Sequence, residues 1–483
     1  MFEQSVYVER RRALAASLAA LSPAERGSRS HLVIFLGNQE SPVNYADNAY
    51  RFRQDSSFLY FFGLAEPDLA ASIDLASGRS TLYADEVSIH DLVWTGPRPS
   101  ADEYRQLCGA DSVRPRAAFG ADVELDVATS GDRPLFLPPY RAQAVLELAS
   151  MLLLPPGDWA ARIAAMASLP LLRSVIALRE LKEPREVGEI EKAVDTTIAM
   201  HKAVLALAKP GIAESELMAE AYCVAYAGGG MPSFPAIATT KGAVLHNHGY
   251  PNVLEDGGLF LLDAGAETAE GYAGDLTSTF PVGRRFDGRQ KAIYEIVLAA
   301  GRAGSALMKP GTPFRVAHFA AARVIASGLV DLGIMKGDID EAVAAGAHAC
   351  FFPHGLGHQM GLDVHDMESL GEVWVGYDGQ SKSEQFGLRS LRMAKNLKPG
   401  MVMTIEPGIY FIPGLIAAWK AEKRHEAYID WAEAEKWSGF GGVRNEEDWL
   451  VTAVGARRLG GPFDKSLAAM EGYRVLMDRL QKD

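Results

Sequence analysis

A mixed α/β (α+β) protein of two domains is what this sequence predicts, and three observations carry the expectation. The 483 residues exceed what one hydrophobic core usually serves. The first third alternates short helix and strand signals, whereas the remainder alternates long amphipathic helices with apolar strand segments. In that second part a helix, a turn and a second helix occur twice, around Lys209-Pro210-Gly211 and Lys309-Pro310-Gly311, 309 − 209 = 100 residues apart. Each succession then leads into strands bearing acidic residues, which predicts a duplicated unit whose halves face each other across a pseudo-twofold axis. The expected domains are residues 1–168 and 169–483.

The elements follow in order. A helix is predicted over 6–21 and an apolar strand over 31–36, with further strands at Phe58–Phe62 and Thr81–Ala84 between Gly, Pro and Asp punctuation. Leu154-Pro155-Pro156-Gly157-Asp158 breaks the pattern, and the domain boundary is placed shortly after it. Glu183-Pro184 opens a long amphipathic helix, with proline and acidic residues in its first turn, that runs to Lys209-Pro210-Gly211. A second helix runs from Glu214 to Gly228-Gly229-Gly230. The repeat has a helix from Gly288 to Met308 and another ending near Leu332. Strands are expected at 259–265 and 271–277.

Composition removes several function classes. Apolar residues make up 48% and charged residues 23%, ordinary for a soluble globular chain. The net charge is −13 with no Lys/Arg stripe, which argues against nucleic-acid binding. The first residues carry no apolar signal core, and no run approaches the roughly 18–20 apolar residues of a membrane span. Cys108, Cys223 and Cys350 are scattered and odd in number, which suits small buried hydrophobes in a reducing cytoplasm.

Five potential metal ligands lie in order along the second domain: Asp263, Asp275, His358, Glu406 and Glu446. Asp263 ends the apolar strand Leu259-Phe260-Leu261-Leu262-Asp263-Ala264-Gly265. Asp275 lies twelve residues on, in Gly271-Tyr272-Ala273-Gly274-Asp275-Leu276-Thr277, close enough for one antiparallel hairpin to carry both on one face. His358 follows His354 by four residues in a glycine-interrupted stretch that reads as loop or extended strand, and His365 makes a third histidine within twelve residues. Glu406, in Met403-Thr404-Ile405-Glu406-Pro407-Gly408, and Glu446, in Gly442-Val443-Arg444-Asn445-Glu446-Glu447-Asp448, sit in strand contexts; of Glu446 and Glu447 only one can face a given side of a strand.

Four carboxylates cannot share one pocket unaided. Two unit charges about 4 Å apart repel by about 4 kcal/mol at an effective dielectric of about 20. Protons or cations must neutralise them. One imidazole with four carboxylates is a hard, oxygen-rich set that favours Mn, Fe(II), Co or Zn in a shared binuclear site over a thiolate-type structural zinc. Two such ions lower the pKa of a bridging water towards about 7 and polarise a carbonyl, so hydrolysis of a peptide or related acyl bond is the expected chemistry.

These segments resemble the pita-bread (creatinase/aminopeptidase) metallopeptidases, and within them the aminopeptidase P and prolidase branch, peptidase family M24B. The likeness covers nearly the whole chain: Phe52-Arg53-Gln54-Asp55-Ser56-Ser57-Phe58 and Phe62-Gly63-Leu64-Ala65-Glu66-Pro67 resemble that branch's N-terminal domain, and the five ligand segments resemble its catalytic domain. The resemblance implies a dinuclear-metal exopeptidase that hydrolyses Xaa-Pro bonds through a metal-bridging hydroxide. It implies that Asp263 and Glu446 bind one ion, that Asp275 and Glu406 are linked to its partner, and that His358 completes the second, with manganese the expected metal. Glu406 matches the proton shuttle, and His246, in Val244-Leu245-His246-Asn247-His248, the histidine near the scissile carbonyl. His354 matches a substrate contact, His365 and Arg444 match members of the catalytic group, and His248 reads as a solvent-facing or supporting side chain. Two departures stand out: Asn247 where an aromatic is usual, and Asn445 where an apolar residue is common.

Peptides with proline second, or Xaa-Pro dipeptides, are the implied substrates. A dipeptidase must hold a free carboxylate, for which a bidentate arginine is the natural group. Arg389 and Arg392, in Gly387-Leu388-Arg389-Ser390-Leu391-Arg392-Met393-Ala394, are candidates; Arg392 stands where prolidases resemble this chain. The stretch from Pro310-Gly311-Thr312 to Gly346 resembles bacterial aminopeptidase P instead, so both specificities stay open. The competing functions are a creatinase-like metal-free hydrolase and a non-catalytic binding protein on the same fold. A cytoplasmic homodimer or homotetramer is expected.

Overall fold

In the computed structural model, which describes residues 2–480, the chain divides after Arg179, and the two compact units are Met1–Arg179 with Met367–Gly371 and Glu180–Asp366 with Glu372–Asp483. The division falls 179 − 168 = 11 residues later than expected. The reason is the helix Leu169–Arg179. It buries Leu171, Leu172, Val175 and Ile176 and packs against helix Gln4–Ala19. Its C-terminal end is held by Tyr60 Oη, which donates to Leu178 O at 3.0 Å, and by Arg179, which donates to Ser57 Oγ at 3.0 Å.

The first unit is built on a four-stranded sheet, Leu32–Leu36, Ala70–Asp74, Ser80–Tyr83 and Ser112–Arg114, antiparallel except for the last pair. Ile34, Ala70 and Tyr83 share a core with Phe119, Val123, Phe136, Leu148 and Ile163. Phe58–Phe62, expected as a strand, is a helix, Ser56–Phe62. A short apolar run does not distinguish strand from buried helix by period, and the ends decide it. Asp55 accepts from Phe58 N–H at 2.8 Å as N-cap, and Gly63 closes the helix at φ 68°, where an added Cβ would lie 2.1 Å from the Tyr7 ring. Arg11, buried beneath it, donates to Phe61 O, Cys108 O and Gly109 O, satisfying carbonyls at two helix C-termini.

The second unit carries the duplication in its hydrogen bonds. Helix pairs Pro184–Leu207 with Glu214–Ala227, and Gly288–Ser305 with Phe314–Asp331, pack within each half. Gly211 N–H donates to Leu254 O and Leu254 N–H to Ile212 O; one hundred residues on, Gly311 N–H donates to Leu397 O and Leu397 N–H to Thr312 O. Sheets follow each pair: Ile237–Thr239, Leu259–Ala264 and Leu276–Pro281 in the first half; Val402–Ile405, Glu447–Val451 and Ala456–Arg458 in the second.

The strand expected over 271–277 begins at Leu276 instead. Gly271–Asp275 forms a loop because Gly274 runs against the helix Pro184–Leu207, its Cβ position only 2.9 Å from the Ala193 and Val194 backbone. There the glycine marks close approach, not strand pairing.

Candidate metal centre

Two ladders aim the acidic side chains. Leu259–Ala264 pairs antiparallel with Leu276–Pro281, Asp263 opposite Thr277, so alternation puts Asp263 and Asp275 on one face. In the second half, Ile405 lies opposite Glu447 and Gly408 opposite Arg444, one continuous register interrupted between them. The interruption falls at Pro407, which has no N–H to give the ladder, and Glu406 and Glu446 flank the gap. Released from its own ladder, Glu446 N–H donates to Thr277 O at 3.0 Å. The glutamate strand of one half is thereby joined to the aspartate strand of the other.

All five expected ligand positions line one cavity of about 450 Å³, with His246, His248, His354, His365, Arg392 and Arg444 also in its wall. The tightest set is Asp275, His358 and Glu446, whose ligating atoms lie within 4.8 Å of one another. Asp263 faces the cavity but turns Oδ2 to Arg444 Nη2, and Glu406 lies beside His354, its Oε2 3.6 Å from Nδ1. Arg389 is exposed, stacks 5.3 Å from the Phe386 ring and stays outside the cavity; of the two arginines considered for carboxylate recognition only Arg392 lines it. Glu447 turns away from the site, towards Lys465 and Arg458.

The electrostatics state the problem such a site must solve. Burial pushes the carboxyls of Asp275, Glu406 and Glu446 well above the usual carboxylate range, and each is raised further by neighbouring acids: Asp275 by Asp263, Glu406 by Glu446, Glu446 by Asp275. Asp275 Oδ1 is buried with no hydrogen-bond partner. His358 uses Nδ1 to meet Gln359 O at 3.1 Å, which fixes the tautomer and points the Nε2 lone pair at Asp275 Oδ2, 3.4 Å away. A lone pair facing a carboxylate oxygen is repulsive unless a proton or a metal cation lies between them. The donor set, the orphaned oxygen and the imidazole orientation all fit divalent ions.

A hydrogen-bonded relay stands behind the ligands. Arg444, 4% exposed, donates from Nη1 to Tyr410 Oη at 2.7 Å and from Nε to Thr277 Oγ1 at 3.1 Å. Tyr410 Oη in turn meets His354 Nε2 at 2.9 Å, and His354 Nδ1 meets Gly355 O at 2.8 Å. Since a carbonyl only accepts, His354 carries its proton on Nδ1 and the tyrosine donates to Nε2. Burial, with Arg444 adding to it, lowers the His354 pKa to about 3, so the ring stays uncharged. Thr277 Oγ1 donates to Glu446 Oε2 at 2.7 Å.

Sequence reasoning missed Tyr410, Thr277, Asp448 and Lys465. Asp448 is fully buried, accepts from Asp275 N–H at 3.0 Å through Oδ2, and leaves Oδ1 without a partner. Lys465 donates to Thr277 O at 2.9 Å and to Glu446 O at 2.5 Å. Thr277 and Asp448 stand two residues beyond Asp275 and Glu446, and strand period alone could have flagged them. Lys465 comes from a segment with no such signal.

Comparison with known proteins agrees with this geometry. The pattern of metallopeptidase family M24 matches residues 188–453, and that of the aminopeptidase P N-terminal domain matches residues 7–132. A human Xaa-Pro dipeptidase is 33% identical over 89% of this chain and 85% of its own. An Escherichia coli (strain K12) Xaa-Pro aminopeptidase is 32% identical over 89% of this chain and 90% of its own. E. coli aminopeptidase P solved in complex with substrate superposes with a TM-score of 0.79, 28% identity, and coverage of 99% of this chain and 100% of that one. An aminopeptidase from Pseudomonas aeruginosa gives 0.80, 28% identity and 99% of both chains.

Proposed function

The chain belongs to metallopeptidase family M24, and on that premise we propose how its site works as a proline-specific exopeptidase that hydrolyses Xaa-Pro bonds. One observation carries the reading: Asp275, Glu406 and Glu446, whose carboxyls burial pushes well above the usual range, share a cavity with Asp263 and His358, a set that bound cations would hold ionised near neutral pH.

Asp263, Asp275, His358, Glu406 and Glu446 would hold two divalent ions, manganese by the hardness of the donors. Bound there, the ions supply a water acidic enough to ionise near neutral pH and a Lewis acid for the scissile carbonyl. Glu406 accepts the proton of the attacking water and passes it to the proline nitrogen as the bond breaks, a transfer suited to a carboxyl whose pKa burial has raised. His354 and Tyr410 stay neutral and present fixed dipoles to that exchange. Arg444 holds Asp263 and Tyr410 in place. His246, exposed and lining the cavity, donates to the developing oxyanion, while His365, whose ring centroid lies 4.1 Å from that of His358, contributes to the wall beside it. Phe234, Pro235 and Val364 form an apolar side suited to the proline ring.

Arg392 favours Xaa-Pro dipeptides among these substrates: its guanidinium lines the cavity and is oriented by Glu372 Oε1 at 2.8 Å. The test compares Ala-Pro with Ala-Pro-Ala under added Mn²⁺, in wild type and Arg392→Ala. Loss confined to the dipeptide establishes carboxylate recognition, and equal rates unaffected by the substitution establish an aminopeptidase. Inactivity of the metal-loaded protein on both peptides refutes the function. We further propose a cytoplasmic homodimer or homotetramer, in keeping with free Cys108, Cys223 and Cys350; light scattering and cell fractionation test it.

A further inference from the structure

The loop between Thr240 and Asn252, which carries His246, is anchored by one carboxylate. Glu214, at the start of helix Glu214–Ala227 and fully buried, accepts at Oε1 from Thr239 Oγ1 at 3.2 Å, Thr240 N–H at 2.6 Å and Thr240 Oγ1 at 2.9 Å. At Oε2 it accepts from Asn252 N–H at 3.1 Å and Asn252 Nδ2 at 2.8 Å. One oxygen takes the incoming foot of the loop and the other takes the outgoing foot. A buried carboxylate with five donors is fully satisfied, and each donor belongs to the feet of this loop.

The connection continues to the tip. Thr239 Oγ1, its proton given to Glu214, accepts from Lys241 N–H at 2.9 Å and from Asn247 Nδ2 at 3.0 Å. Asn247 Oδ1 accepts from Gly249 N–H at 3.2 Å. Asn247 directly follows His246, and its polar side chain has definite partners in Thr239 and Gly249. Residues 246 and 247 share one planar peptide unit, so fixing Asn247 restricts the direction in which His246 leaves the chain.

We propose that Glu214, Thr239 and Asn247 form a hydrogen-bonded brace that holds His246 towards the cavity, making Glu214 and Asn247 positioning residues for hydrolysis. The proposal rests on the reading of His246 as a substrate contact. The second half has no counterpart: at the position one hundred residues on, Phe314 donates its N–H to Lys395 O, as Glu214 does to Asn252 O, but carries no carboxylate.

A double-mutant cycle on the Mn²⁺-loaded full chain tests it, with His246→Ala, Asn247→Ala and the pair. Asn247→Ala is expected to lower kcat/KM about tenfold with an unchanged thermal midpoint, because a misplaced contact group costs rate without unfolding the protein. In the His246→Ala background the same substitution should cost less than about twofold, since the brace has nothing left to position. Asn247→Asp, which keeps the shape but loses the Nδ2 donor, should behave as Asn247→Ala. Glu214→Gln should speed protease cutting within 240–252. The brace is overturned by losses that multiply across the cycle, by wild-type rates in Asn247→Asp, or by unchanged cutting in Glu214→Gln. Full activity in His246→Ala removes the reading of His246 and the brace with it, whereas a large loss there beside a wild-type Asn247→Ala removes the brace alone.

Discussion

The two halves of the second unit share a frame and differ in what they hang on it. Both begin with a helix pair whose turn is closed by the same two backbone hydrogen bonds, Gly211 with Leu254 and Gly311 with Leu397. The first half closes that loop in 254 − 211 = 43 residues and the second in 397 − 311 = 86. The extra length carries His354, His358 and His365. Each half then contributes two carboxylates, aspartates from the short half and glutamates from the long one. Duplication thus accounts for a symmetric set of acids, and asymmetric growth of one connection accounts for His354, His358 and His365, beside the His246 and His248 of the shorter one. A centre made this way belongs to neither half alone.

The sharpest way to break that comparison is to remove one acid from each side. Asp275→Asn and Glu446→Gln should each lower kcat/KM by at least about 1,000-fold, or about 4 kcal/mol of transition-state stabilisation. Each should also lose bound divalent metal by elemental analysis. The double variant should be little worse than either single one, because both acids serve one centre. If the two losses multiply, the halves act separately. Because the three buried carboxyls have raised pKa values, cations must displace protons to bind, so metal affinity should weaken as pH falls, which calorimetry in buffers of different ionisation heat would read.

Arg444 ties the glutamate strand to Asp263 across the halves, and Arg444→Ala leaves that carboxylate buried and unpaired. A loss of about 3–5 kcal/mol in urea unfolding is expected. Tyr410→Phe, which strands only hydrogen-bond partners, should cost about 1–3 kcal/mol. If the tyrosine proves the costlier, the ion pair is not the principal tie.

The smallest effect separates the helices. Burial lowers the pKa of His201, in the first half, to about 3, and those of His318 and His348, in the second, to about 3 and about 4. The unfolded chain takes up these protons near pH 6.5, while the folded one resists until pH 3–4. The unfolded state therefore binds more protons throughout that window, and stability is full above pH 6.5 and falls with pH below it. Each residue costs about 2 kcal/mol by pH 5. His201 is hydrogen-bonded to Ser278 Oγ and Ala264 O, whereas His318 has no partner on either ring nitrogen. His318→Leu should flatten the pH dependence at little cost at pH 7.5, and His201→Leu should destabilise at every pH. Equal losses at neutral pH would show that the hydrogen bonds of His201 contribute nothing.

How much of this was legible in the sequence follows from range. Elements bounded by local signals came through: the helix opened by Glu183-Pro184 and the apolar strand ending in Asp263 are where their caps and period put them. The fold class and the metallopeptidase resemblance stand. Ser56–Phe62 was misread because five apolar residues carry no period of their own and their caps were overlooked. The strand at 271–277 was misread because a glycine serving close packing looks the same in sequence as one opening a strand. The order of the ligands could be read from motif spacing, but Arg444 on Tyr410 and Glu214 under the His246 loop depend on residues 34 and 25 or more positions apart, which no local pattern records.

Lys465 lies beyond the last residue matched by the family pattern, yet its ammonium grips one carbonyl from each half, directly beneath Glu446. Trimming the chain before Phe463 would pull a rivet from under the ion pocket while leaving every ligand in the gene. Weak metal loading in such a shortened protein should be traced first to its tail.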